Sequence, residues 1–224
     1  MRGPSDRTAG AAGNREPGWP NPEAARRGRR AGLEDSGRVR AFVAVLLSDE
    51  VRAALAAEIR YLQSRAPDVA WVPPENLHLT LKFLGAVEEE RVPLVGRALA
   101  AVAARMDAFD LAIAGLGAFP SVTRPRVLWA GISAGAEALA CLAGEIEDAL
   151  AALGFAREER PFAGHVTLGR VRVPRRDPVL GEALAAGLRR PFGRTVVDRL
   201  TLIRSDLSPR GARYTPLDSW PLGT

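Results

Sequence analysis

The run His78-Leu79-Thr80-Leu81-Lys82-Phe83-Leu84-Gly85 opens with strict alternation of polar and apolar residues, and His165-Val166-Thr167-Leu168-Gly169-Arg170 repeats that opening 87 residues later. Alternation with a period of two marks a half-buried strand. On such a strand His78 and Thr80 project from one face while Leu79 and Leu81 pack behind them. His165 and Thr167 do the same, backed by Val166 and Leu168. Two copies of one strand motif predict a duplicated architecture, with the two copies facing each other.

The flanking sequence supports that reading on both sides. Residues 41–47 are short, apolar and rich in valine, which predicts a buried strand. Ser48 is placed as an N-cap, with Asp49 and Glu50 in the first turn complementing the helix dipole. The helix that follows keeps Val51, Leu55, Ile59 and Leu62 on one face to about residue 65. Pro73 and Pro74 interrupt the chain before a strand over 77–84 that Gly85 closes. A helix is predicted over 88–105, with Pro93 tolerated only near its start. Strands follow over 109–116 and 126–132, then an Ala/Leu helix over 136–153 stopped by Gly154. The second motif occupies a strand over 165–173, followed by a short helix over 178–189 and a strand over 195–204. Residues 214–222, with two prolines, read as irregular. A helix precedes and follows each motif strand, yet several strand pairs lack a crossover helix. The expected fold is therefore α+β: two similar lobes related by a pseudo-two-fold, each a mainly antiparallel sheet with outer helices, around a central groove.

Composition narrows the class. The chain has 224 residues, 47% of them hydrophobic, enough to bury a real core. No apolar run approaches the roughly 18 residues of a membrane span, and the start lacks a secretory apolar stretch, so a cytoplasmic protein is expected. The single cysteine, Cys141, sits in the Ala/Leu helix and is expected to be a buried structural thiol. The net charge is +5, but 30 of the 31 basic residues are arginine and only Lys82 is lysine, a skew typical of genome composition. Residues 1–38 hold eight arginines against five acids and no hydrophobic period, and read as a disordered basic extension ahead of a domain at 39–222. The charge permits an anionic substrate without identifying one.

Chemistry points further than charge. The chain has only two histidines, and both occupy the same position of the same motif. A lone strand histidine is more often structural, but two in matched settings suit an acid/base pair. Opening a cyclic phosphodiester requires one proton removed from water and one given to the departing ribose oxygen. The two imidazoles supply both, and the threonine hydroxyls donate to the non-bridging oxygens where charge builds. The scheme requires no metal or other cofactor. His-x-Thr also offers no second strong ligand, Glu75 being three residues from His78.

The segment Trp71-Val72-Pro73-Pro74-Glu75-Asn76-Leu77-His78-Leu79-Thr80-Leu81-Lys82-Phe83-Leu84-Gly85 resembles the first signature of the RNA 2′,3′-cyclic phosphodiesterases, also called 2′-5′ RNA ligases, of the two-histidine phosphoesterase superfamily. His165-Val166-Thr167-Leu168-Gly169-Arg170 resembles the second. Arg40-Ala41-Phe42-Val43-Ala44, Arg126-Val127-Leu128-Trp129-Ala130-Gly131, Ser205-Asp206-Leu207-Ser208 and Gly211-Ala212-Arg213-Tyr214 extend the likeness over residues 39–222. The resemblance implies two lobes enclosing a groove, and hydrolysis of a terminal 2′,3′-cyclic phosphate to a 2′-phosphate, with reverse ligation as a further activity. It implies His78 as proton donor to the 3′ oxygen, His165 as the acceptor that activates water, and Thr80 and Thr167 as phosphate holders. Its partners would be RNA ends carrying a cyclic phosphate, tRNA fragments among them. Gly164 departs from the proline common before the second histidine, which loosens the approach to His165. Arg126 and Arg170 are candidate phosphate ligands, although odd spacing sets Arg170 on the face opposite His165. Arg40 is expected to be structural, and Phe119, in a turn-like Phe-Pro-Ser, is a candidate for stacking on a base. Two further readings stay open: a cyclic phosphodiesterase for small nucleotides, and a nucleotide- or RNA-binding module without turnover.

Overall fold

The computed structural model describes residues 37–209 and 211–223. Of the 1–38 extension, Arg38 already belongs to the first strand, and residues 1–36 lie outside the described residues. The element order is β1 (Arg38–Leu46), α1 (Asp49–Gln63), β2 (Val69–Trp71), β3 (His78–Glu88), α2 (Val92–Ala103), β4 (Phe109–Phe119), β5 (Val127–Ala134), α3 (Ala136–Ala151), β6 (Val166–Val171), α4 (Pro178–Ala186), β7 (Pro191–Val197), β8 (Arg199–Ser208) and β9 (Gly211–Pro221). Short 3₁₀ turns at Pro74–Asn76 and Glu89–Arg91 precede β3 and α2. The helix predicted over 88–105 thus begins as a 3₁₀ turn, and Pro93 sits where a proline is tolerated, in the first turn of α2.

All strands join one antiparallel sheet in the order β7-β4-β5-β6-β3-β1-β8-β9, with β2 also pairing to β6. The sheet divides into the two expected lobes, β3-β1-β8-β9 and β7-β4-β5-β6. They meet at a single residue pair, Leu79 of β3 opposite Val166 of β6, both fully buried. The motif strands are therefore direct neighbours at the seam, running antiparallel. Helices cover one side of the sheet: α1 packs on β7 and β2, α2 on α3, β8 and β9, α3 on β3, and α4 on β4. Between helices and sheet lies one continuous core that includes Val43, Leu79, Leu99, Leu142, Val166 and Leu202. A smaller cluster of Phe42, Ala44 and Ile203, with Phe83 and Tyr214 against it, occupies the opposite face.

Several readings from sequence change here. Residues 214–222 belong to β9, an edge strand, where Pro216 and Pro221 are tolerated because no further strand needs their missing N–H groups. The strand predicted over 195–204 is two strands that part at Asp198. Cys141 is exposed on α3, not buried; alanine surrounds that helix on every side, so apolar content alone does not tell its faces apart. No helix of the described residues is long and apolar enough to cross a membrane.

Candidate active site

Both motif strands carry a β-bulge at the fourth residue of the motif. On β3, Ala44 lies opposite Thr80 and Val43 opposite Lys82, leaving Leu81 as the extra residue. On β6, Trp129 lies opposite Thr167 and Leu128 opposite Gly169, leaving Leu168 as the extra residue. A bulge places two consecutive side chains on one face and shifts the alternation beyond it. Leu81 and Lys82 both turn into the core, as do Leu168 and Gly169. The fifth residue after each histidine returns to the groove face: Phe83 in the first lobe, Arg170 in the second.

This corrects the reading of Arg170. Strict alternation sets it away from His165, but the bulge brings it back to the same face. Its charge reaches both rings: it adds to the lowering that burial imposes on the His165 pKa and offsets part of the rise that burial imposes on Tyr214. Arg126 is exposed just before β5, in phase with buried Leu128 and Ala130 and not with Trp129. The sheet thus favours Arg170 over Arg126 as the arginine beside the imidazoles. Lys82, which simple alternation would align with His78, is instead buried at the back. Its ammonium donates to Glu147 Oε1 at 2.6 Å and to the Ala156 carbonyl at 2.9 Å.

The two imidazoles are held alike. His78 Nδ1 lies 2.8 Å from the Asn76 carbonyl, and His165 Nδ1 lies 2.7 Å from the Ala163 carbonyl, in each case two residues upstream. A carbonyl only accepts, so each Nδ1 carries the proton and each Nε2 is left for chemistry. Nε2 of His78 is 3.0 Å from Thr80 Oγ1, whose hydroxyl donates to it while the ring is neutral. Continuing the Leu79–Val166 register by one residue each way sets His78 beside Thr167 and Thr80 beside His165. The four motif side chains form a diagonal quartet on one face of the seam. The imidazoles sense each other: burial lowers the His78 pKa from 6.5 to about 4, the Asn76 carbonyl opposes this, and the nearby His165 lowers it further. Burial likewise lowers His165, against the Ala163 carbonyl, and Arg170 adds to the lowering. Both shifts favour the neutral form of the ring.

Aromatic side chains fix each ring from the side. Phe42 lies 4.8 Å from His78, and Tyr214 of β9 stands edge-on to it at 5.2 Å. Asn76 links these parts, because its side chain donates to the Ala212 carbonyl at 2.8 Å, two residues before Tyr214. Burial raises the Tyr214 pKa, and Arg170 and Arg40 pull it back, so Arg40 also belongs to this face. In the second lobe Phe119 packs edge-on to His165 at 5.2 Å and is only 6% exposed. It buttresses the imidazole and offers no open face to a base, contrary to expectation. Gly164 is tightly enclosed: a Cβ there would come within 2.7 Å of Ile132 and 2.8 Å of Leu139. Packing, not proline, defines the approach to His165. Asn76, Phe42 and Tyr214 lie in segments that carry the family resemblance, but no periodicity marks them as part of the site, since their strands and turns meet the motifs only in the folded sheet.

The chain matches the family described as LigT like Phosphoesterase twice, over residues 45–129 and 131–214, one match for each motif. An RNA 2′,3′-cyclic phosphodiesterase of Archaeoglobus fulgidus is 36% identical over 179 residues, covering 80% of this chain and 98% of that protein. Among solved structures, TT0787 of Thermus thermophilus superposes with a TM-score of 0.69 at 32% identity, over 82% of this chain and 97% of its own. Escherichia coli LigT complexed with 3′-AMP superposes with a TM-score of 0.66 at 28% identity, over 84% and 99%.

Proposed function

This chain belongs to the LigT-like phosphoesterase family, and we propose that it hydrolyses the 2′,3′-cyclic phosphodiester at RNA ends to a 2′-phosphomonoester by paired imidazole catalysis. The observation that carries the proposal is the Leu79–Val166 seam, which brings two identically oriented imidazoles and two hydroxyls to one face. The names of the relatives support the reaction class.

In the proposed reaction His165 Nε2 takes a proton from water as its oxygen bonds to phosphorus. His78, protonated at Nε2, gives its proton to the 3′ oxygen as the P–O3′ bond breaks, so the phosphate stays on the 2′ oxygen. Thr80 and Thr167 donate to the non-bridging oxygens, and Arg170 offsets the negative charge that concentrates there. The substrate's own charge helps: an anion between two neutral imidazoles favours protonation of one of them, which burial alone disfavours. With a 5′ hydroxyl in place of water, the same groups form a 2′-5′ linkage: His165 takes the hydroxyl proton as its oxygen bonds to phosphorus, and His78 gives its proton to the 3′ oxygen as the P–O3′ bond breaks. RNA ends in the cytoplasm, including those of tRNA fragments, would be the substrates.

The test is incubation with an oligoribonucleotide ending in a 2′,3′-cyclic phosphate, beside the matching cyclic mononucleotide, in EDTA, with the product phosphate located by NMR. Turnover to a 2′-phosphate, faster on the oligonucleotide, is expected. A 3′-phosphate would overturn the assigned polarity, and preference for the mononucleotide would overturn the RNA substrate.

A further inference from the structure

The matched bulges allow the two lobes to be compared position by position. Stepping outward from Thr80, the neighbour on β1 is Ala44; stepping outward from Thr167, the neighbour on β5 is Trp129. The pseudo-two-fold pairs histidine with histidine and threonine with threonine, but a methyl group with an indole. One strand further out, Trp129 lies opposite Gly117, where a Cβ would come within 2.2 Å of the six-membered ring of the indole. Two residues along β5, a Cβ on Gly131 would stand 3.2 Å from the same ring. Glycine at both positions lets the indole lie down on bare backbone. Phe119 braces it at 5.3 Å and in turn abuts His165. The indole Nε1 is buried with no hydrogen-bond partner among the described residues, a penalty that phenylalanine would not incur. What the position gains from tryptophan is therefore the wide flat ring.

We infer that Trp129 is the platform on which the nucleobase next to the bound phosphate stacks, and so a specificity-determining residue for the reaction proposed above, on which this inference rests. Adjacent strands lie roughly 4.8 Å apart, so Trp129, directly opposite Thr167, lies within reach of the base on a phosphate held there. The other rings beside the imidazoles are otherwise engaged: Phe42 and Phe119 are buried, Phe83 packs against Phe42 at 5.9 Å, and Tyr214 stands edge-on to His78. Stacking tolerates any base, so the platform selects nucleotides over other cyclic phosphodiesters without reading sequence.

The experiment compares adenosine 2′,3′-cyclic phosphate with the base-free methyl riboside 2′,3′-cyclic phosphate. The proteins are the wild type, Trp129→Leu, Trp129→Phe and Gly117→Ala, the last of which lifts the indole without replacing it. Trp129→Leu should raise KM for the adenosine substrate by about tenfold or more and leave the base-free substrate nearly unchanged. Trp129→Phe should lose less, and Gly117→Ala should follow Trp129→Leu. If Trp129→Leu does not fold, the other two variants carry the comparison. Equal losses on both substrates, or a wild type indifferent to the base, would overturn the platform. Tryptophan fluorescence with added 3′-AMP separates this inference from the catalytic one. Should the wild type turn over neither substrate, the phosphodiesterase reading fails. Quenching that disappears in Trp129→Phe would still support the platform, and absence of quenching in the wild type would overturn it.

Discussion

Replacing Lys82 with methionine keeps the apolar stem but removes the ammonium that ties the first motif strand to the segment leading into the second. That ammonium bonds Glu147 on α3 and the Ala156 carbonyl, and Glu147 in turn accepts from the Glu158 amide. The lysine side chain is 1% exposed and the glutamate 18%. Stranding one member of a buried ion pair costs about 3–5 kcal/mol. Glu147 keeps some access to water, so Lys82→Met should lose about 3 kcal/mol, the low end. For a domain of this size that corresponds to a fall in Tm of about 6–12 °C. Glu147→Leu strands the more deeply buried partner and should cost at least as much, whereas the double variant should recover most of the loss. Lys82→Arg should not rescue the clamp. The buried ammonium is held between Glu147 and the Ala156 carbonyl, and a guanidinium is larger and directs its N–H groups in a planar fork. The clamp also bears on catalysis, because Ala156 begins the segment that delivers His165. At about 25 °C, where the variant stays folded, kcat for Lys82→Met should fall by about tenfold through misplacement of that imidazole. Denaturant titration of the four proteins gives the coupling, and steady-state kinetics gives the catalytic part. A coupling below about 0.5 kcal/mol, or full kcat in Lys82→Met, would refute the clamp.

Three further outcomes follow from the site. His78 is neutral in folded and unfolded chains above pH 6.5; between 6.5 and about 4 the unfolded chain protonates first. Stability should therefore be complete above pH 6.5 and fall by up to about 3 kcal/mol as pH drops to about 4, with His165 shifted in the same direction. Denaturant midpoints across that range should fall less steeply in His78→Gln; an unchanged slope would count against the buried neutral ring. Arg170→Ala should raise KM on a cyclic-phosphate substrate by about tenfold or more, from loss of about 1.5–3 kcal/mol in a charged hydrogen bond, while Arg126→Ala should change it little. The reverse ranking would contradict the bulge argument. Gly164→Ala should destabilise by about 1–3 kcal/mol through crowding of Ile132 and Leu139; a neutral or stabilising result in a thermal melt would show that the pocket yields.

What could be read from sequence depended on whether the signal was local. The motif strands, the Ser48 cap and the buried face of α1 follow from local pattern, and the structure has all of them, with Ser48 accepting from the Val51 amide. The duplicated lobes followed from two copies of one four-residue pattern. The bulges did not, because Leu81 and Leu168 look like ordinary inward residues; strict alternation therefore misassigned Arg170 and gave no hint that Lys82 faces inward. Three-residue β2 is too short to show a period. The prolines of β9 argue against a strand unless its place at the edge is known. Tyr214, Phe42, Arg40 and Trp129 reach the groove through strand pairings far apart in sequence, which no local pattern encodes.

The central claim, that His78 and His165 act as an acid/base pair on one phosphate, is tested most directly by pH–rate profiles of the wild type, His78→Ala and His165→Ala. Because both pKa values are lowered in the free protein, kcat/KM should be bell-shaped with its maximum below pH 6.5. The kcat profile, which reports the complex, should shift to higher pH as the bound phosphate raises both pKa values. Each variant should lose roughly two to four orders of magnitude. His78→Ala should lack the limb that falls toward high pH, and His165→Ala the limb that falls toward low pH. If either variant kept the full bell, or kept wild-type rates, the shared acid/base site would be wrong.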